Sequence, residues 1–263
     1  MFTGIVEEIG RVVSLTKSPA IALWDGSTGE GWVLVISCAL ALEGAYLGCS
    51  IAVNGTCLTA TALGPGTFTV GCAPETMRLT NLIDLVEGAP VNLERSARAD
   101  GRNSGHYVQG HVDGTGRVAA TWVEGDSLWV RVAAPAPLLR YIVPKGYIAC
   151  DGASLTVCEV VPAAAAAAGE GGGGGAGEGE GSFTFMLIAY TQKHIIMPLK
   201  AVGDRVNLEV DVQGKLAERA TAGVLAAVGA LEARLGAALA RLEARVGALE
   251  ARLGSAAAGG APQ

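Results

Sequence analysis

Ile51-Ala52-Val53-Asn54-Gly55-Thr56-Cys57-Leu58-Thr59 and Ile148-Ala149-Cys150-Asp151-Gly152-Ala153-Ser154-Leu155-Thr156 are two versions of one hairpin. Each has a short apolar run, a two-residue turn and a second run with polar side chains at alternate positions. Asn-Gly and Asp-Gly are the dipeptides a type I′ turn selects, because both central residues need positive φ. The two versions lie 97 residues apart. Upstream, Gly4-Ile5-Val6 with Gly10-Arg11-Val12 returns as Gly110-His111-Val112 with Gly116-Arg117-Val118, 106 residues on. Downstream, Gly88-Ala89-Pro90-Val91-Asn92-Leu93-Glu94 returns as Gly203-Asp204-Arg205-Val206-Asn207-Leu208-Glu209, 115 residues on. Three matches in one order with drifting spacing describe a single unit used twice, with different insertions in each copy.

The drift locates the insertions. The first copy carries about nine extra residues around Ser18 to Gly31, and the second about eighteen, in the Ala/Gly/Glu run from Ala163 to Gly181. That composition offers too little apolar surface to offset its ordering entropy, so it predicts a disordered hairpin loop and not a lid. Between these landmarks, Trp32–Cys38 and Ser127–Val132 are rich in Val, Ile and Trp and are punctuated by Gly, Pro, Asn and Asp. Several short strands in about a hundred residues predict an all-β unit, a closed Greek-key barrel or a sandwich, with little helix before the tail.

The tail follows a different rule. Val224, Val228, Leu231, Leu235, Leu239, Leu242, Val246, Leu249 and Leu253 recur at spacings of three and four, with one stutter after Leu235. Leu-Glu-Ala-Arg recurs at 231, 242 and 249, setting charges beside the seam. The pattern predicts a long helix that self-associates, the alternative being a helix packed on its own barrel.

Composition narrows the partners. The chain has 263 residues, half of them apolar, and a formal charge of −6. An acidic balance argues against nucleic acid, since phosphate recognition needs a dense cationic patch. No run of 18 uninterrupted strongly apolar residues is present, which argues against a membrane span. The six cysteines, at 38, 49, 57, 72, 150 and 158, lack CxxC spacing and read as buried thiols. His106 and His111 are five apart and would point to opposite faces of a regular strand, so no shared metal is expected.

Met1-Phe-Thr-Gly-Ile-Val6, Asn54-Gly-Thr-Cys-Leu-Thr59, Glu75-Thr-Met-Arg-Leu-Thr-Asn-Leu82, Ser104-Gly-His-Tyr-Val-Gln-Gly-His-Val-Asp113, Lys145-Gly-Tyr-Ile-Ala-Cys-Asp-Gly-Ala-Ser-Leu-Thr156 and Val206-Asn-Leu-Glu-Val-Asp211 resemble the riboflavin synthase family over about residues 1 to 219. Ala189-Tyr-Thr-Gln192 is more similar to plant and algal members than to bacterial ones. The resemblance implies two tandem six-stranded Greek-key barrels, 1–97 and 98–215, with the insert at 163–181 and a trimerisation helix and frayed tail over 216–263. It implies a homotrimer whose active site lies between the N-terminal barrel of one subunit and the C-terminal barrel of another. The reaction implied is a dismutation of two 6,7-dimethyl-8-ribityllumazine molecules, with no metal or cofactor. Association with lumazine synthase is a further expectation, as is residence in the chloroplast stroma or the cytoplasm, a transit peptide being absent or removed. The alternative within the same superfamily is a non-catalytic carrier resembling the lumazine proteins of luminous bacteria.

The resemblance also nominates residues. Cys57 and Ser154 stand at equivalent positions, and Ser154 is the better candidate to add to the donor or to activate water against it. Thr59 and Thr156 lie two residues on and share their faces, with Leu58 and Leu155 between. Phe2 and Thr3 lie beside the pocket, the ring covering substrate or packing in the core. Gly4, Ile5 and Val6 supply main-chain hydrogen bonds. Gly71-Cys72-Ala73-Pro74-Glu75-Thr76 and Met186-Leu187-Ile188-Ala189-Tyr190-Thr191 present amides and Thr hydroxyls to the pyrimidinedione edge. His111, within Gly110-His111-Val112, would shuttle a proton, with His106 as a second candidate and His194 as a surface residue. Lys145 would bind a ring oxygen or ion-pair at the rim. Asp211, where the first copy has Ser96, would orient a nucleophile or base in one half only, or else cap a strand.

Overall fold

The computed structural model describes residues 1–22, 28–162 and 179–258, which form two compact units, Met1–Val212 and Gln213–Gln263. In the first, β1 (Glu8–Ala22), β2 (Thr28–Ser37), β3 (Ser50–Val53), β4 (Thr56–Gly64), β5 (Thr67–Cys72) and β6 (Pro90–Arg95) close into a barrel of order β1-β2-β5-β4-β3-β6. Alternation drives it. Val33 and Val35 look outward from β2, whereas Leu34 and Ile36 meet Phe68 and Val70 of β5 in the core. A short helix α1 (Pro74–Leu79) follows β5.

The second copy departs from the six-stranded expectation. Its strands β7 (Gly114–Glu124), β8 (Ser127–Pro135), β9 (Tyr147–Cys150), β10 (Ala153–Thr156), β11 (Glu159–Val161), β12 (Glu180–Leu187) and β13 (Arg205–Val210) form a seven-stranded sheet of order β10-β9-β13-β7-β8-β12-β11. Its two outermost strands are consecutive in the chain and separated only by Val157 and Cys158. The matching strand β4 stays whole but has a register shift between Ala60 and Ala62, at the equivalent place. A bulge in one copy is a break in the other: the chain turns at Val157 and Cys158, whose amides donate to the Gly146 carbonyl at 3.0 Å and the Thr184 carbonyl at 2.8 Å. Short helices α2 (Ala136–Leu139) and α3 (Ala189–Gln192) complete this half.

The insertions appear as longer hairpins. β1 and β2 stay paired out to Ala22 and Thr28, so much of the first insertion is ordered ladder. The composition puts the second at 163–181, yet Glu180 and Gly181 belong to β12, paired with Pro135 and Ala134. The rest, 163–178, lies outside the described residues.

The two halves meet back to back through their matching turns. Asn54 and Gly55 take φ of 45° and 75°, and Asp151 and Gly152 take 44° and 81°. Gly55 and Gly152 touch each other's backbone, and a Cβ on Gly55 would fall 2.6 Å from the Gly152 nitrogen. Around them is a reciprocal buried network. Asn92 Nδ2 donates to the Asp151 carbonyl at 2.9 Å, and Asn207 Nδ2 donates to the Asn54 carbonyl at 2.8 Å. The Asn81 amide donates to Asn207 Oδ1 at 2.6 Å, and the equivalent Ile196 amide to Asn92 Oδ1 at 2.9 Å. Each of these groups would cost about 1–3 kcal/mol if buried without its partner, so the network fixes how the halves join.

The last element is α4 (Val212–Ala258), whose seam residues from Val224 to Leu249 are exposed. Over Val212–Ala251 this helix is long and apolar enough to cross a membrane by length and composition, against the expectation from the lack of an uninterrupted apolar run. Its mean hydropathy is high because residues 220–231 are rich in Ala, Val and Leu and carry no charge, whereas Glu232, Arg234, Arg241, Glu243, Arg245 and Glu250 follow.

Candidate active site

The leading segments of the two copies exchange places. The Phe2 amide donates to the Val108 carbonyl at 2.7 Å, and the Val108 amide donates to the Phe2 carbonyl at 3.2 Å. Past this bridge each segment runs onto the opposite sheet. The Gly4 carbonyl accepts from the Ser154 amide at 2.7 Å, and the Gly110 carbonyl accepts from the Cys57 amide at 2.8 Å. Both glycines have φ of 77°, and a Cβ on either would fall 2.6 Å from the Cβ of Ser154 or Cys57. Only glycine meets both demands. Val6 likewise packs on the second copy's core.

A buried glutamate grips each segment. Glu94 Oε1 accepts from the Thr3 amide at 2.7 Å and the Thr3 hydroxyl at 2.8 Å, while Oε2 accepts from the Gly4 amide at 3.0 Å. Glu209 Oε1 accepts from the Gln109 amide at 2.6 Å and Oε2 from the His111 amide at 2.8 Å. Burial pushes the Glu94 carboxyl up to about 7 against the pull of its three donors, and it raises Glu209 as well.

Ser154 and Cys57 thus have equivalent frames but different neighbours. Ser154 Oγ lies 2.7 Å from His106 Nδ1. The imidazole is buried and stacked on Tyr147, with centroids 5.1 Å apart and planes 8° from parallel. Burial lowers its basicity, and the nearby Asp211 charge pulls the other way. A neutral imidazole at this distance can take the serine proton, and the negative charge of Asp211 favours the cation that forms.

The other nominated residues fall into three groups. Thr59 and Thr156 lie on the same open face as Cys57 and Ser154, whereas Leu58 and Leu155 point into the cores and offer only main chain. In the first strip Gly71, Ala73 and Thr76 are half-buried and Pro74 and Glu75 exposed, but Cys72 is a core residue whose thiol burial pushes up to about 12. In the second strip Met186, Ile188, Ala189 and Tyr190 are exposed, Thr191 is half-buried and Leu187 is core. Phe2, 1% exposed, takes the core alternative, packed among Ala52, Val108, Ala149 and Cys57. Thr3 is half-buried, while Ile5, His111 and Lys145 are exposed, Lys145 with φ of 65°. His106, not His111, therefore sits on Ser154. Val112 is half-buried, and Tyr190 stacks on His194 at 4.0 Å.

Sequence reasoning missed Glu94, Glu209 and Tyr147. The repeated Val-Asn-Leu-Glu was the available signal for both glutamates.

The profile of the lumazine binding domain matches residues 3–96 and again 109–211, so this doubled β architecture is that of a lumazine-binding protein. The chain is 41% identical over 220 residues to riboflavin synthase of Schizosaccharomyces pombe, covering 83% of this chain and 93% of that one. It is 37% identical to riboflavin synthase of Bacillus subtilis, covering 82% and 87%. The chain belongs to the riboflavin synthase family. Its fold is also that of LumP, solved in complex with riboflavin, with a TM-score of 0.62 at 20% identity over 80% of this chain and 99% of that one. LumP has also been solved with 6,7-dimethyl-8-(1'-D-ribityl) lumazine, with a TM-score of 0.60 at 20% identity over the same shares of the two chains.

Proposed function

We infer that this chain is a transferase that performs the riboflavin synthase reaction. Two molecules of 6,7-dimethyl-8-ribityllumazine enter, one passes a four-carbon unit to the other, and riboflavin leaves with 5-amino-6-(ribitylamino)pyrimidinedione. The atoms of the pair balance between the two products, so the reaction consumes no oxidant. The observation that carries the reading is the doubled site with unequal chemistry. Equivalent frames around Cys57 and Ser154 suit two copies of one substrate, and only Ser154 has an imidazole at 2.7 Å. Ser154 adds to the donor ring, or activates water against it, with His106 taking the proton and Asp211 steadying the imidazolium. Cys57, Thr59 and the strip from Gly71 to Thr76 hold one ring; Ser154, Thr156 and the strip from Met186 to Thr191 hold the other. His111 and Lys145 reach ligand from the rim. Most of the acceleration comes from holding two reactants in register, which is worth roughly 7–11 kcal/mol.

Within one chain the halves join back to back, and the reading makes each productive pocket from the N-terminal half of one subunit and the C-terminal half of another. Both halves are Greek-key barrels in this account, the break at Val157 and Cys158 being a bulge carried further. The subunits form a homotrimer through a coiled coil of α4, whose exposed heptad seam supports it. Ending the chain after Arg219 is expected to abolish the trimeric mass in light scattering. An unchanged mass would remove the helix from assembly, and recovery of the full chain only in detergent would reassign it to a membrane. The plant-like Ala189–Gln192 favours an algal or plant type of enzyme, in the chloroplast stroma or cytoplasm, where association with lumazine synthase belongs to the same reading.

The deciding experiment mixes purified protein with 6,7-dimethyl-8-ribityllumazine and follows riboflavin absorbance. Turnover is expected; tight binding without turnover would make the chain a carrier.

A further inference from the structure

Neither buried glutamate has a part in the chemistry above, yet each anchors the backbone that edges a reactive side chain. Glu94 belongs to the first copy, but the Thr3-Gly4 segment it grips lies against the second copy's Ser154. The Gly4 carbonyl takes the Ser154 amide, the Thr3 carbonyl takes the His106 amide at 3.1 Å, and Gly105 is wedged between the Thr3 carbonyl and the Ser154 side chain. Both members of the Ser154–His106 pair are thus hung on two residues whose own amides end on one carboxylate. Glu209 repeats the arrangement in reverse, holding the 109–111 segment whose Gly110 carbonyl takes the Cys57 amide.

We propose that Glu94 and Glu209 are crossed positioning residues, Glu94 acting on Ser154 and His106 through Thr3 and Gly4, and Glu209 acting on Cys57 through residues 109–111. The proposal rests on the riboflavin synthase reading for the reaction it serves. Its physical basis is the acceptor count. A carboxylate offers two acceptor oxygens, and Glu94 spends both on three donors. An amide in its place has one oxygen and an NH2 that must face an N–H or O–H, so at least one anchor is lost. A misplacement of about 1 Å at a reacting group costs about a hundredfold in rate, so a partial release is expected to cost tenfold or more.

The test is a set of crossed double-mutant cycles on the full chain, with 6,7-dimethyl-8-ribityllumazine as substrate. Glu94→Gln is expected to lower kcat about tenfold at nearly constant KM. In a Ser154→Ala background it should add almost nothing, because what it positions is already gone. In a Cys57→Ala background its full effect should remain. Glu209→Gln should show the opposite dependence, coupled to Cys57 and independent of Ser154. A merely structural role would lower activity equally in both backgrounds, and that result would overturn the proposal. Should Glu94→Gln fail to fold in a thermal melt, Thr3→Val removes only the hydroxyl anchor. It should reproduce the dependence on Ser154 at roughly threefold amplitude, with Thr3→Ser restoring the rate; a Thr3→Val enzyme of wild-type rate would also overturn it. A wild-type chain that binds the lumazine without turnover would refute the reaction, not the clamp. The clamp is then read in the His106 imidazole NMR signals, which Glu94→Gln should shift and Glu209→Gln should leave in place; equal shifts from the two variants would refute the clamp.

Discussion

Ser154→Ala is expected to lower turnover by about 10²–10³-fold while changing lumazine affinity by less than about threefold. The hydroxyl is half-buried on the open face of β10, and its oxygen lies 2.7 Å from an imidazole that burial keeps neutral. Removing it deletes the nucleophile, or the group that holds the attacking water, together with the acceptor and donor partner of His106. Little contact area goes with it, so ground-state binding is nearly spared. Cys57→Ala should be milder, about tenfold or less, because among the described residues no histidine hydrogen-bonds to Cys57 and its position serves to hold a ring. Stopped-flow absorbance gives the rate and fluorescence titration gives the affinity. Equal losses for the two variants, or a Ser154→Ala defect confined to affinity, would undo the assignment of donor and acceptor halves.

Sequence alone shows only half of the difference between these two positions. Local sequence carries the hairpins well, because a type I′ turn selects Asn-Gly or Asp-Gly and because Cys57/Thr59 and Ser154/Thr156 keep strand parity. The choice of histidine was another matter. Parity governs a strand, yet among the described residues the only β-pairing of 106–111 is the single bridge from Val108 to Phe2. Whether His106 turns inward is decided by contacts with Thr3 and Ser154, one about a hundred residues before it and the other 48 after it, and no periodicity records them. The same holds for Glu94. A glutamate in an apolar strand reads as an edge charge until its partners are known, and those are backbone amides some ninety residues away. Segment exchange also leaves little trace in sequence, apart from two glycines whose positive φ and tight contacts exclude any side chain.

Where the copies differ, the sequence did carry a warning, and the strongest case is at their junction. Asn54 in the first turn is Asp151 in the second, and Leu85 is matched by Lys200. The two changes belong together. Asp151 is wholly buried, with Oδ1 accepting from Asn81 Nδ2 at 2.7 Å and the Asn207 amide at 2.9 Å, and Oδ2 lies 3.1 Å from Lys200 Nζ. Lys200→Met is therefore expected to destabilise the chain by about 3–5 kcal/mol near neutral pH, since it strands a carboxylate in the interior. The deficit should depend on pH in a defined direction. Burial already holds the Asp151 carboxyl above its ordinary range, with Lys200 opposing, so losing the cation raises it further. The folded variant then takes up a proton at a pH where the unfolded chain does not, so its stability rises as pH falls and its deficit narrows from neutral to mildly acidic pH. Adding Asp151→Asn, the first copy's own residue, should recover most of the loss at neutral pH. Urea unfolding at neutral and at mildly acidic pH measures both effects. A deficit that ignores pH, or a double variant no more stable than Lys200→Met alone, would mean that Lys200 acts at the junction through its bond to the Arg205 carbonyl and not through the charge of Asp151.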